Sequence, residues 1–105
     1  MSISMNAAIS GIRVSLARQD STAHNIANMS TPGFEQMNTQ QAEMSTGGVR
    51  VTGTTRTPNP DPTTSGTDLA QQMVNMDINK TELTANIKVI KTQDKMIGDL
   101  IDLIA

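Results

Sequence analysis

A chain of 105 residues with a formal net charge of −2 is long enough for one domain, and its charge gives no electrostatic basis for binding nucleic acid or an anionic membrane. It has no cysteine, tryptophan or tyrosine and a single phenylalanine, which excludes disulfides, thiolate catalysis, most zinc sites and any aromatic stacking platform. The hydrophobic share of 36% lies below that of ordinary globular domains, so the isolated monomer is expected to be marginal.

The N-terminal stretch from Met1 to Ala8 has neither a basic leader nor an apolar core, and no cleavable secretory signal is expected there. Ser2 or Ser4 can cap a first helix. Met5, Ile9, Ile12, Leu16, Gln19, Ala23 and Ile26 then recur at alternating intervals of four and three, the spacing of a coiled-coil seam. The helix should stop near Asn28, because Ser30, Thr31, Pro32 and Gly33 follow. Pro32 pushes Thr31 toward extended geometry, and Gly33 permits the positive φ of a type II turn.

Gln36 to Thr46 is polar and weakly helical in pattern. Gly47-Gly48 marks a turn, and Val49 to Thr52 alternates like a short half-buried strand. Gly53 to Thr67, with Pro58, Pro60 and Pro62, has the composition of an extended, poorly packed linker.

The strongest helical signal is the last third, Leu69 to Ala105. Leu69, Met73, Met76, Leu83, Ile87, Ile90, Ile97, Ile101 and Ile104 keep the four-three spacing once Lys80 and Asp94 are counted in register. Asp68 can cap this helix, with Gln71 closing a reciprocal cap. A second stripe, Val89, Met96, Leu100 and Leu103, lies off the seam, and one partner helix cannot cover both faces. The expected fold is therefore mainly α: long N- and C-terminal helices forming an antiparallel coiled-coil pair around a short irregular, β-containing middle. This is one domain over 1–105, with its first helix in 1–29, turn, strand and linker in 30–67, and second helix in 68–105. The expected register sets Ile26 opposite Leu83, Ile12 near Ile97 and Met5 near Ile104. Gly11 and Gly98 interrupt the helices, a cost that close approach by a neighbour would explain, the alternative being glycines tolerated on the surface.

Little in the chain carries chemistry. His24 has no cysteine or carboxylate pair at ligand spacing. Asp77, Asp94, Asp99 and Asp102 sit on a solvated helix without a concave site. Gly47-Gly48 lacks the Lys-Ser/Thr and strand–helix context of a phosphate loop. No catalytic, metal or cofactor-binding residue is expected, and no small-molecule substrate. Asn25, Asn28 and Asn86 are candidates for fixing helix register, or, for Asn28, for capping.

Both ends resemble one family. Asn25-Ile26-Ala27-Asn28 followed by Thr31-Pro32-Gly33-Phe34, with Ala8, Gly11, Ile12 and Leu16 upstream, is similar to the N-terminal signature of bacterial flagellar basal-body rod and hook axial proteins. Met73-Val74-Asn75-Met76, Ala85-Asn86 and Val89 to Asp94 resemble the family's C-terminal signature. The resemblance implies a non-enzymatic structural subunit of the periplasmic rod, stacking helically through its terminal helices with copies of itself and other rod and hook subunits. It also implies export, uncleaved, by the flagellar type III apparatus. The short middle and Gly47-Gly48-Val49-Arg50-Val51 are similar to the short proximal-rod (FlgC-like) members, whereas Thr31 to Phe34 and Lys91 to Asp94 are more similar to distal rod and hook members. Leu83 stands where the family usually has an aromatic residue, and Lys80-Thr81 where Gln-Arg is common. The alternative is a soluble helical adaptor or export-associated protein that holds one partner helix on the second stripe.

Overall fold

The structure, a computed structural model, describes residues 2–104, with side chains from Met5 onward. The expected caps at Ser2 and Ser4 rest on side chains outside that range. Four elements follow in order: α1 (Ser2–Ala27), β1 (Met37–Glu43), β2 (Val49–Arg56) and α2 (Leu69–Ile104). The helices run antiparallel and the hairpin lies along α1, giving a rod of 67 × 25 × 13 Å.

Local chemistry sets the helix ends. The Asn28 side chain donates to His24 O at the end of α1, and the Phe34 N–H closes a turn on Thr31 O with Gly33 at φ 73°, as the Pro-Gly pair requires. Asp68 caps α2, its carboxylate accepting the Gln71 N–H at 3.1 Å. The reciprocal half of the cap comes from elsewhere. Buried Gln36 accepts the Asp68 N–H through its side-chain oxygen, and its amide donates to Gln71 Oε1.

The middle departs from expectation in two places. Most of Gln36 to Thr46 is strand, because β1 pairs antiparallel with β2 and Asn25 grips both polar groups of the Met37 backbone. Weak local helicity yields to such pairing. Between Gln40 and Gln41 the register shifts, leaving Thr52 as an extra residue in β2. The expected linker is also tied down. Gly33 N–H donates to Thr64 O, Gly66 N–H to Phe34 O, Ser65 Oγ to Asn28 O and Thr67 Oγ1 to Asn25 O. Gly66 packs so closely on Phe34 that a Cβ there would meet its carbonyl oxygen at 2.8 Å.

The helix pair has a different register from the expected one. Asn25 meets Gln72, Arg18 pairs with Glu82, and Gly11 faces Asn86, so the first turns of α2, not Leu83, lie beside Ile26. With 36 residues in α2 against 26 in α1, the last turns of α2 project past the start of α1.

Candidate interaction surface

The face that α2 turns inward is built from two rows, each repeating every seven residues. One is apolar and half-buried: Met76, Leu83, Ile90 and Ile97. The other is polar: Gln72 and Asn79 are buried at 1% and 2% exposure, and Asn86 and Gln93 are half-buried. Opposite them α1 offers small or polar groups, Ala8, Gly11, Ser15, Thr22 and Asn25. Small side chains let the helices approach closely; a Cβ on Gly11 would meet the Asn86 amide at 2.6 Å. The expected cost of Gly11 thus has its reason, whereas Gly98 has nothing near it.

At such close range the amides pair with each other. Asn25 Nδ2 donates to Gln72 Oε1 at 3.0 Å, and Asn79 Nδ2 to Gln19 Oε1 at 3.0 Å. Buried amides of this kind specify register and orientation at some expense of stability. Asn79 Oδ1 and Gln93 Oε1 find no partner among the described residues. The Arg18–Glu82 pair at 2.6 Å closes one flank of the seam.

On its far side α1 carries the hairpin. Ser10 Oγ accepts the Val49 N–H, and Gly48 sits so tightly against Ser10 that any side chain there would collide with its hydroxyl. Val14, buried like Ala8, packs in this layer beside Met44 and Val49.

The expected seam is therefore only half inside. Ile9, Ile12, Leu83, Ile90 and Ile97 are half-buried, but Leu16, Ile87 and Ile101 are exposed. In place of Leu16 and Ile87 the residues one position earlier turn inward, buried Ser15 and half-buried Asn86. The physical reason is the close approach of small residues on α1, which leaves no room for a second row of large apolar chains. Among the terminal motifs, Asn25 is buried, Ile26, Asn28, Phe34, Met76 and Asn86 are half-buried, and Ala27, Thr31, Pro32, Gly33, Met73, Val74 and Ala85 are exposed. Val89, Met96, Leu100 and Leu103 of the second stripe are all exposed. Sequence reasoning passed over Gln72, Asn79, Thr22 and Gln36. The seven-residue spacing of Gln72, Asn79, Asn86 and Gln93 was the signal that could have found three of the seam amides.

What remains uncovered is a long apolar face on α2, reaching Leu103 at 84% and Ile104 at 85% exposure. Among the described residues no group of three or more His, Asp or Glu could hold a metal ion, and no helix is long and apolar enough to cross a membrane. The arrangement suits contact with other helices.

Comparison with known families gives two matches at the two ends of the chain. Residues 5–34 match the family described as flagella basal body rod protein. Residues 63–103 match the family described as flagellar basal body rod FlgEFG protein C-terminal. A comparison with curated proteins finds no match.

Proposed function

Because the chain belongs to the flagellar basal-body rod protein family, we propose that it is a structural subunit of the rod that polymerises helically through its terminal helices. The observation that carries this reading is the uncovered apolar face of α2, on a molecule whose own helix seam gives one of its two rows to polar side chains. Large exposed apolar patches on a small chain mark interaction sites. A subunit that folds weakly alone and completes its core only among neighbours suits an axial structure. Its partners under this reading are copies of itself and other rod and hook subunits, delivered by the flagellar type III export apparatus.

The interface residues follow from the same reading. Val89, Met96, Leu100 and Leu103 face neighbouring subunits, together with Leu16, Met73, Val74, Ile87 and Ile101. Thr31 to Gly33 form an exposed corner at the end of α1, held by the Gly33 N–H to Thr64 O. The test is mass spectrometry of purified basal bodies combined with electron microscopy of the rod. Stoichiometric presence of the chain in intact rods is expected, and its absence from them would remove the proposal. A stable one-to-one complex with a single soluble partner, without self-association, would instead establish the adaptor role.

A further inference from the structure

All of the chain's lysines, Lys80, Lys88, Lys91 and Lys95, lie on α2, and all are exposed. At about 100° per residue they fall within about 80° of one another around the helix axis, in a row about 22 Å long. This side of α2 is neither the inward seam nor the stripe of Val89, Met96, Leu100 and Leu103. Among the described residues Lys95 meets Asp99 at 3.0 Å, whereas Lys80, Lys88 and Lys91 have no carboxylate partner. Thr84 and Ala85 lie between Lys80 and Lys88, and all four line one shallow groove with Asp77 and Thr81. The Thr84 hydroxyl donates to Lys80 O at 2.9 Å, so the helix's own backbone already satisfies it. The floor of the groove is therefore small-sided and asks for no polar partner.

We propose that this row is a docking site for an acidic helix of another protein, laid along α2 with its carboxylates against Lys80, Lys88, Lys91 and Lys95. The site is separate from the apolar faces assigned to assembly and does not depend on them.

The charge pattern selects this occupant over other anions. Asp77 precedes the row on the same side of the helix, and Asp99 and Asp102 follow it, so positive potential is confined to a short strip. A nucleic-acid duplex or an anionic bilayer would have to cover those carboxylates as well. A net charge of −2 also gives such large surfaces no long-range attraction. A helix with carboxylates three and four residues apart presents a straight row of the same pitch and can end where the lysines end. Phosphates are gripped best by the flat forks of arginine, and α2 contains none; lysines are single point charges suited to carboxylates along a row. A second copy of this chain does not fit. Its α1 and hairpin strands offer only Asp20 and Glu43 as acids, and two α2 helices set lysine row to lysine row would repel.

The test uses the full chain and a synthetic probe. The probe is a helical peptide with glutamates at the lysine spacing, and its control has the same composition with the glutamates spread around the helix. Fluorescence anisotropy should show binding of the matched peptide, weakened by salt, and little binding of the control. Lys88→Gln with Lys91→Gln should weaken binding about fivefold or more, the range open to two exposed ion pairs. Arg13→Gln with Arg50→Gln removes the same charge from another face and should leave affinity within about twofold. All four residues are exposed, so circular dichroism should show wild-type helicity for both variants. Equal weakening by the two double variants, or equal binding of the two peptides, overturns the lysine row as a site. Phosphatidylserine vesicles or duplex DNA binding as tightly as the matched peptide would overturn the acidic-helix assignment.

Discussion

Asn25 concentrates more of the tertiary structure than any other side chain. Its amide donates to Met37 O and Gln72 Oε1 and its oxygen accepts the Met37 N–H, so one residue joins α1 to both β1 and α2. Asn25→Ala would strand several buried polar groups at once, and a loss of about 3 kcal/mol is expected in urea denaturation, with early amide exchange at Met37. The two helix glycines should respond in opposite directions. Gly98→Ala enters open space and should stabilise by up to about 1 kcal/mol through helix propensity. Gly11→Ala must displace the Asn86 amide and should destabilise, with Asn86→Ala in the same chain restoring much of the loss. Equal stabilisation by both alanines in thermal melts would show that the helices are not in close contact at Gly11. Asp61 carries a pH effect of its own. The Thr63 hydroxyl, and then the Thr63 N–H, hold its carboxyl below the usual range. A depressed folded-state pKa means that the contribution is present above the unfolded value of about 3.9 and is lost as pH falls through the lower folded one. Exchange of the Thr63 N–H should therefore accelerate only below the ordinary carboxylate range.

At the scale of elements, the question is which row of α2 meets α1. Leu83 and Ile90 are half-buried in the seam, whereas Ile87, between them in sequence, is 40% exposed on the outer side. Leu83→Asp or Ile90→Asp places a carboxylate against an apolar row and should cost about 2–3 kcal/mol. Ile87→Asp should cost well under about 1 kcal/mol and keep helical content, as exposed substitutions do. Circular dichroism melts of the three variants check this directly. Loss of helicity in Ile87→Asp equal to that in Leu83→Asp would return Ile87 to the seam. The hairpin obeys the same economy. Its strands are poor in apolar residues, and it holds its place through Ser10, Ser21 and Asn25 of α1 rather than through a core of its own.

For the whole molecule, the balance is between a thin core and a large uncovered face. The buried side chains are mostly polar, led by Gln72, Asn25 and Asn79, and amide pairs contribute less net stability than apolar burial of the same volume. Association should therefore raise apparent stability by mass action. The melting temperature is expected to climb with chain concentration in the wild type and to stay constant in the Leu100→Asp, Leu103→Asp variant. A concentration-independent melt of the wild type would place its stability within the single chain.

The sequence by itself determined the features whose causes are local. Both long helices, the stop at Asn28, the Pro32-Gly33 turn, the Asp68 cap and the Gly47-Gly48 turn follow from spacing, φ restriction and neighbouring hydrogen bonds, all within a few residues. The terminal motifs likewise made the family legible. Tertiary structure alone decided the register of the pair, the polar row in its seam and the strand over Met37–Glu43. Each depends on groups far apart in the chain: Gln72 is suited to the interior only when Asn25 is there to donate to it, and β1 forms only when β2 lies alongside. Apolar periodicity records every surface a helix can bury, on its own chain or another, and does not say which. On α2 it marked two faces, and the packing of small residues on α1 selected one row of them for the monomer and left the rest outside.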